Sequence, residues 1–167
     1  AQLMRQPQPD LAGAVAAPYP AVWTLSALDP AHARQDGGTK AVRMEIRSTM
    51  AAEVVAREAI GAARAGARVL VIRNTVTTAV AAWEAIVAAG GEAWLMAVAG
   101  GPALHHSRFA PEDRALLDAA AEIALATRSD RPRGGVIVIG SQTLEQSLDV
   151  DADLLITDLC PVDVLLQ

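Results

Sequence analysis

Residues 136–153 read Val136-Ile-Val-Ile-Gly-Ser-Gln-Thr-Leu-Glu-Gln-Ser-Leu-Asp-Val-Asp-Ala-Asp153. Four consecutive branched apolar residues suit a strand buried on both faces. Gly140 ends the run, and a dense row of polar side chains follows at once: Ser141, Gln142, Thr143, Glu145, Gln146, Ser147 and Asp149. The plainer alternative is an N-capped helix followed by an acidic turn. So many hydrogen-bonding groups at a strand exit are expensive unless they are used, and hydroxyls and amides at a helix start suit a phosphate.

The same pattern recurs on either side. Val69–Ile72 and Leu154–Ile156 are two further short apolar runs that read as buried strands. Helical patterns separate them. Ser48 or Thr49 can cap a helix that carries Ala51, Val55 and Ala59 on one face and stops at Gly66. Val76, Val80, Trp83 and Val87 mark the inner face of a second helix, closed by Gly90–Gly91. Pro111 opens a third at N1, with Glu112 and Asp113 in its first turn and Leu116, Ala120 and Ile123 facing inward. Residues 92–104 fit strand, loop or both. Strands alternating with helices imply right-handed crossovers and a mainly parallel sheet covered on both faces. In such sheets function collects at the carboxyl ends of the strands, here the loops after Ile72, His106 and Ile139.

The N-terminal part is less regular. Pro7, Pro9, Pro18 and Pro20 make residues 1–20 an arm or linker. Val22–Leu25 and Ala41–Ile46 are short strand candidates on either side of a loop at Asp36–Gly38. The expected domain is therefore 21–167.

The 167 residues suffice for one domain with a sizeable core. Aromatics are 3% of the chain, so that core must be Val, Leu, Ile and Ala. The formal net charge of −5 argues against strong stand-alone nucleic-acid binding, which draws on basic side chains. It leaves room for a contact surface of amides, hydroxyls and a few arginines. Cys160 is the only cysteine, which excludes an intrachain disulfide and agrees with a reducing, cytoplasmic setting. There is no apolar run of membrane-spanning length and no signal-peptide pattern, so no membrane partner is expected.

Gly140–Asp153, together with Leu154-Leu-Ile-Thr-Asp-Leu-Cys-Pro-Val-Asp-Val-Leu-Leu-Gln167, resembles motif V and its sequel in the superfamily 2 helicase–nucleases of type I CRISPR systems. That family typically reads T-Q-x-x-E-Q-S-L-D-x-D, then a strand, then T-D-x-x-P-x-D-x-L-L-Q. Ser141 stands where the family usually has Thr, which keeps the hydroxyl. Val69–Val76 resembles the motif IV strand ending in N-T-V, and His106-Ser-Arg-Phe109 with Asp113-Arg114 resembles its H-S-R-F…D-R signature. The resemblance is good over 65–167 and loose over 18–48.

The resemblance implies a three-layer α/β/α, RecA-like (P-loop NTPase-like) second motor domain. It implies that Ser141, Gln142 and Thr143 touch a single-stranded DNA backbone, with Asn74, Thr75, His106, Ser107 and Arg108 lining the same track. Asp149 would face a nucleotide ribose with Gln146 nearby, and Glu145 would couple the two sides. ATP and Mg would be shared with a first RecA-like domain, and the partners would be single-stranded DNA, a type I surveillance complex and a nuclease domain of the same polypeptide. A different class of function is a non-enzymatic, helicase-like docking or regulatory module.

Other readings fail on spacing. Asp149, Asp151 and Asp153 alternate as in a calcium loop, but Leu154 and Cys160 occupy the positions that need Gly and Glu. His105 and His106 are adjacent, so on a strand they point to opposite faces and cannot share a metal. The loop with Arg128, Arg131 and Arg133 reads as solvated surface, and Trp23, Trp83 and Trp94 as packing residues. Lys40, the only lysine, lies in Thr39-Lys40-Ala41 and makes no Walker A loop. The sequence ends where the family's motif VI would begin, so this stretch alone is expected to bind no cofactor, hydrolyse no ATP and cut no DNA.

Overall fold

Parallel strands buried on both faces need long apolar side chains at every position, and three segments supply them. The structure, a computed structural model, describes residues 21–22, 31–32, 42–126, 134–144 and 150–158. These divide into two units between Glu45 and Ile46. In the first unit, β1 (Ala21–Val22) pairs antiparallel with β2 (Ala31–His32). The second unit contains α1 (Ala52–Arg64), β3 (Arg68–Arg73), α2 (Val76–Ala88), β4 (Ala97–Val98), β5 (Gly101–Pro102), α3 (Pro111–Ala124), β6 (Val136–Ser141) and β7 (Leu154–Thr157).

The main sheet has the order β6-β3-β7 and is wholly parallel. Val69 pairs with Ile137 on one side and with Leu154 on the other. The ambiguous stretch 92–104 is both strand and loop. It touches the outer side of β6 at Leu95–Ile137, leaves as the small antiparallel β4–β5 hairpin, and returns at His105–Gly140. Backbone bonds from Met96 N to Ile137 O and from His105 N to Ile139 O carry the ladder across the gap.

Side-chain alternation divides the core. Val69, Val71, Ile137, Ile139 and Ile156 meet α1 and α2 on one face, while Leu70, Ile72 and Val138 meet Leu117, Ala121 and Leu125 from α3 and its C-cap on the other. This is the expected three-layer α/β/α arrangement. Each fully buried Ile or Leu contributes about 1.5–3 kcal/mol relative to exposure. None of the described helices is long and apolar enough to cross a membrane.

Several details depart from the sequence expectation. Residues 42–46 form no strand; Val42, Met44 and Ile46 are exposed. β7 is an edge strand with Leu155 open on one face. α1 begins after Ala51 without a side-chain cap; Thr49 Oγ1 instead accepts from Ala51 N at 3.2 Å. The buried stripe of α2 is Ala79, Ala82 and Ile86, with Val76, Val80, Trp83 and Val87 half-buried beside it. In α3 the inner face is Leu117, Ala121 and Ala124, leaving Leu116 60% and Ile123 64% exposed. Both helices are rotated by about one residue because small alanines, which carry little apolar weight in a pattern, let a helix approach the sheet closely. An apolar hollow of about 450 Å³ remains between α2 and α3, lined by Val80, Trp83, Leu104, Phe109 and Leu116 among others. The arm 1–20, Trp23, the Asp36–Gly38 loop, the 128–133 arginines and Cys160 lie outside the described residues.

Thr75 is the N-cap of α2. Its Oγ1 accepts from Thr78 N at 3.1 Å and shares a hydrogen bond with Thr78 Oγ1 at 2.8 Å. Thr75→Ala is expected to lower stability by about 1 kcal/mol, read from the urea midpoint at unchanged slope.

Candidate functional site

Parallel topology brings the exits of β3 and β6, and the residues after the His105 bridge, to one edge of the sheet. Asn74 and Gln142 meet there: Gln142 Nε2 donates to Asn74 O and Asn74 Oδ1, both at 3.2 Å. The strand register dictates this contact, because Arg73 lies opposite Ser141 and the next residue of each strand follows. Residues Gln142–Leu144 form a single 3-10 turn, and Leu144 is buried beneath it. Gly140 has to be glycine: a Cβ there would strike the Leu144 side chain and come within 2.7 Å of His105 O.

Beneath the edge lie charged residues that the sequence pattern did not single out. Arg73 is buried; its Nε donates to Asp158 Oδ2 at 3.0 Å and its Nη2 to Met50 O at 3.1 Å. The same Asp158 oxygen accepts from Asn74 N at 2.8 Å. The carboxylate at the exit of β7 thus holds both the last residue of β3 and the backbone of Asn74. At the opposite end of the sheet, Asp153 Oδ2 accepts from Arg68 N at 2.9 Å, and Asp151 N donates to Leu125 O at 2.8 Å. Two of the three alternating aspartates therefore bind the fold together.

The adjacent histidines do face opposite ways. His105 is 0% exposed, and its Nε2 lies 2.6 Å from Asp118 Oδ1 on α3. Its Nδ1 lies 3.3 Å from Thr143 Oγ1, which in turn is 3.2 Å from Ser141 Oγ. A continuous polar chain thus runs from Asp118 through His105 and Thr143 to Ser141. His106 is half-buried and stacks on Phe109, with ring centroids 4.2 Å apart. Arg108 N donates to His106 Nδ1 at 3.3 Å, and Ser107 and Arg108 are exposed in the turn.

Burial pushes the His106 imidazole below its ordinary value of 6.5; a backbone hydrogen bond at His106 opposes this, and the positive charge of Arg108 adds to it. The folded chain therefore disfavours the proton. The contribution of His106 to stability is complete above 6.5 and is lost as the pH falls toward the folded-state value. In an NMR titration His106 is expected to have its midpoint below 6.5, and a midpoint at or above that value would contradict this account.

Of the residues singled out from sequence, Asn74, Gln142, Thr143, Ser141, His106, Ser107 and Arg108 belong to three neighbouring segments at this edge. Thr75 is there too, with its hydroxyl engaged as a cap. Ser141 is only 5% exposed and turned toward Thr143, whereas Gln142 and Thr143 are half-buried and Asn74 is exposed. Glu145, Gln146 and Asp149 lie outside the described residues. Sequence reasoning missed Arg73, Asp158 and Asp118, and it named His105 only to reject a metal role. For His105 a signal existed, since one of two adjacent strand histidines must point inward and find a partner.

Comparison with known proteins agrees with this architecture. A family model described as CRISPR-associated nuclease/helicase Cas3, C-terminal, matches residues 65–167. The chain is 35% identical over 108 residues to the CRISPR-associated endonuclease/helicase Cas3 of Escherichia coli K12, covering 65% of this chain and 11% of that protein. It is 44% identical over 64 residues to the protein of the same name from Thermus thermophilus, covering 38% of this chain and 7% of the relative. A crystal structure of T. fusca Cas3-ATP aligns with a TM-score of 0.56 at 29% identity, over 74% of this chain and 14% of that one. The chain therefore spans a small part of the length of each. With more than half of its residues matched by the family model and its α/β/α core shared with a solved member, the chain belongs to the C-terminal family of the CRISPR-associated nuclease/helicase Cas3 proteins.

Proposed function

We propose that this chain, over residues 21–167, is the second RecA-like motor domain of an ATP-dependent single-stranded-DNA translocase and helicase–nuclease, with residues 1–20 as its linker. The whole protein would degrade DNA marked by a type I CRISPR surveillance complex, an antiviral defence in the cytoplasm. The observation that carries the reading is the junction of strand exits, where Gln142 donates to Asn74 and Thr143 adjoins His105. Amides and hydroxyls arrayed along an edge suit a sugar-phosphate backbone without regard to base sequence, as a processive motor requires. The track consists of Asn74, Thr75, His106, Ser107, Arg108, Ser141, Gln142 and Thr143.

ATP with Mg would sit between this domain and a first RecA-like domain, with Asp149 and Gln146 turned toward the nucleotide and Glu145 linking nucleotide to DNA. No Gly-Lys-Ser/Thr sequence is present in these residues, so the phosphate cradle belongs to the other domain. The chain alone is accordingly expected to hydrolyse no ATP and cut no DNA.

Oligo-dT binding to the full chain, measured against salt, tests the reading. A half-site is expected to bind weakly, with a slope of about −0.7 per phosphate contacted. Replacing Asn74 and Gln142 together by alanine should weaken binding at every salt concentration and leave the slope nearly unchanged, because neutral amides release no counterions. Tight binding to one particular base sequence would contradict the proposal.

A further inference from the structure

A buried imidazole bonded on both nitrogens sets the direction of every hydrogen bond it joins. Asp118 Oδ1, as a carboxylate oxygen, can only accept, so His105 Nε2 carries a hydrogen. In the neutral ring Nδ1 then has none and accepts from the Thr143 hydroxyl. Thr143 Oγ1, its hydrogen committed, accepts from Ser141. Both hydroxyl hydrogens are thereby directed inward, and the two oxygens offer only lone pairs to the edge of the sheet. A phosphate oxygen, itself only an acceptor, finds no donor in that arrangement. If Nδ1 takes up a proton, the polarity reverses: Nδ1 donates to Thr143 Oγ1, and one hydroxyl hydrogen of the Ser141–Thr143 pair is freed to point outward.

We propose that the Asp118–His105–Thr143–Ser141 chain couples the grip on a DNA phosphate to uptake of one proton at His105, so that His105 is a positioning residue beneath the strand track. This rests on the strand-track reading above. The step balances as one proton taken from solvent for one hydroxyl donor presented to the phosphate, with no covalent bond made or broken. The groups placed to favour the charged ring are few. Asp118 faces it from α3, with Arg114 and Glu122 one turn to either side on that helix; His106 neighbours it on its own segment. The exit of β6 offers only the Ser141 and Thr143 hydroxyls. On β3, Arg73 lies in register with Ser141 but is bonded to Asp158. The phosphate would supply the negative charge that completes a stable arrangement around the imidazolium.

The test is the affinity of the full chain for oligo-dT, measured by fluorescence anisotropy between mildly acidic and mildly basic pH. The parent carries H106N, which removes the neighbouring imidazole from the same pH range; because His106 belongs to the track, its absolute affinity is expected to fall, and only the slope against pH is read. Affinity is expected to rise as pH falls, approaching about tenfold per pH unit where one proton is taken up. Thr143→Val keeps the shape of the side chain and removes the hydroxyl, and is expected to flatten the profile. His105→Gln should do the same, and Thr143→Val carries the test if that buried substitution does not fold. Nitrogen NMR of the His105 ring is expected to show Nδ1 gaining its proton when oligo-dT binds. A flat profile in the parent, a slope that survives in Thr143→Val, or a free chain whose Nδ1 is already protonated would overturn the proposal and leave the strand track standing. No binding of oligo-dT by the unsubstituted chain at any pH would overturn both.

Discussion

Gly135→Ala is expected to destabilise the chain by about 3 kcal/mol or more, a large part of the roughly 5–15 kcal/mol that holds a domain folded. A Cβ on Gly135 would fall on the backbone carbonyl of Ala63, with the Ala63 carbonyl carbon only 2.6 Å away. The obstacle is helix backbone, which cannot rotate aside as a side chain tip can. Relief requires α1 to move away from the start of β6, and α1 also packs against β3 and α2 through Val55, Ala59 and Ile60. Gly61→Ala on the same helix is the control. Nothing lies within 4 Å of its Cβ position, and alanine gains helix propensity, so stability should rise by about 0.5–1 kcal/mol. Urea unfolding of the two variants should give midpoints on opposite sides of the parent. A Gly135→Ala chain as stable as the parent would mean that α1 and β6 do not approach as described.

Asp158→Ala has the second large effect. It leaves the Arg73 guanidinium buried without its carboxylate and removes the acceptor of Asn74 N. Breaking a buried ion pair by deleting one partner costs about 3–5 kcal/mol, and the lower end applies here because the Asp158 side chain is 16% exposed. Arg73→Met combined with Asp158→Leu should restore much of the loss, since an apolar pair of similar volume avoids the stranded charge. A double-mutant cycle by chemical denaturation measures the coupling, and a coupling near zero would mean that the pair contributes nothing. The same substitution frees the backbone at Asn74, so oligo-dT affinity should fall even in molecules that remain folded.

Both effects rest on contacts between residues far apart in the chain, and this divides what was legible from what was not. The three strands were readable because Val69–Ile72, Val136–Ile139 and Leu154–Ile156 are unbroken apolar runs at strand length between helical patterns. The polar row after Ile139 was readable because such side chains are out of place at the exit of a buried strand. The helix faces were misread by one residue. Leu116 and Leu117 are equally apolar, and only the rotation of α3 against the sheet selects Leu117. Ala79 and Ala82 carry little weight in any pattern, yet their small size is what allows α2 to pack closely. The strand expected over 41–46 has the right alternation, but among the described residues no strand pairs with 42–46.

Local order in the chain was enough to determine an α/β/α domain with a parallel sheet, and where along it the polar edge would lie, because run length and period are properties of neighbouring residues. Tertiary structure alone decided that Asp158 would hold Arg73, that Asp118 would reach His105, and that Ser141 would turn inward to Thr143. Those partnerships depend on strand register and on crossovers that bring together residues up to 85 positions apart, and charge or hydrogen-bonding capacity in one side chain does not name its partner.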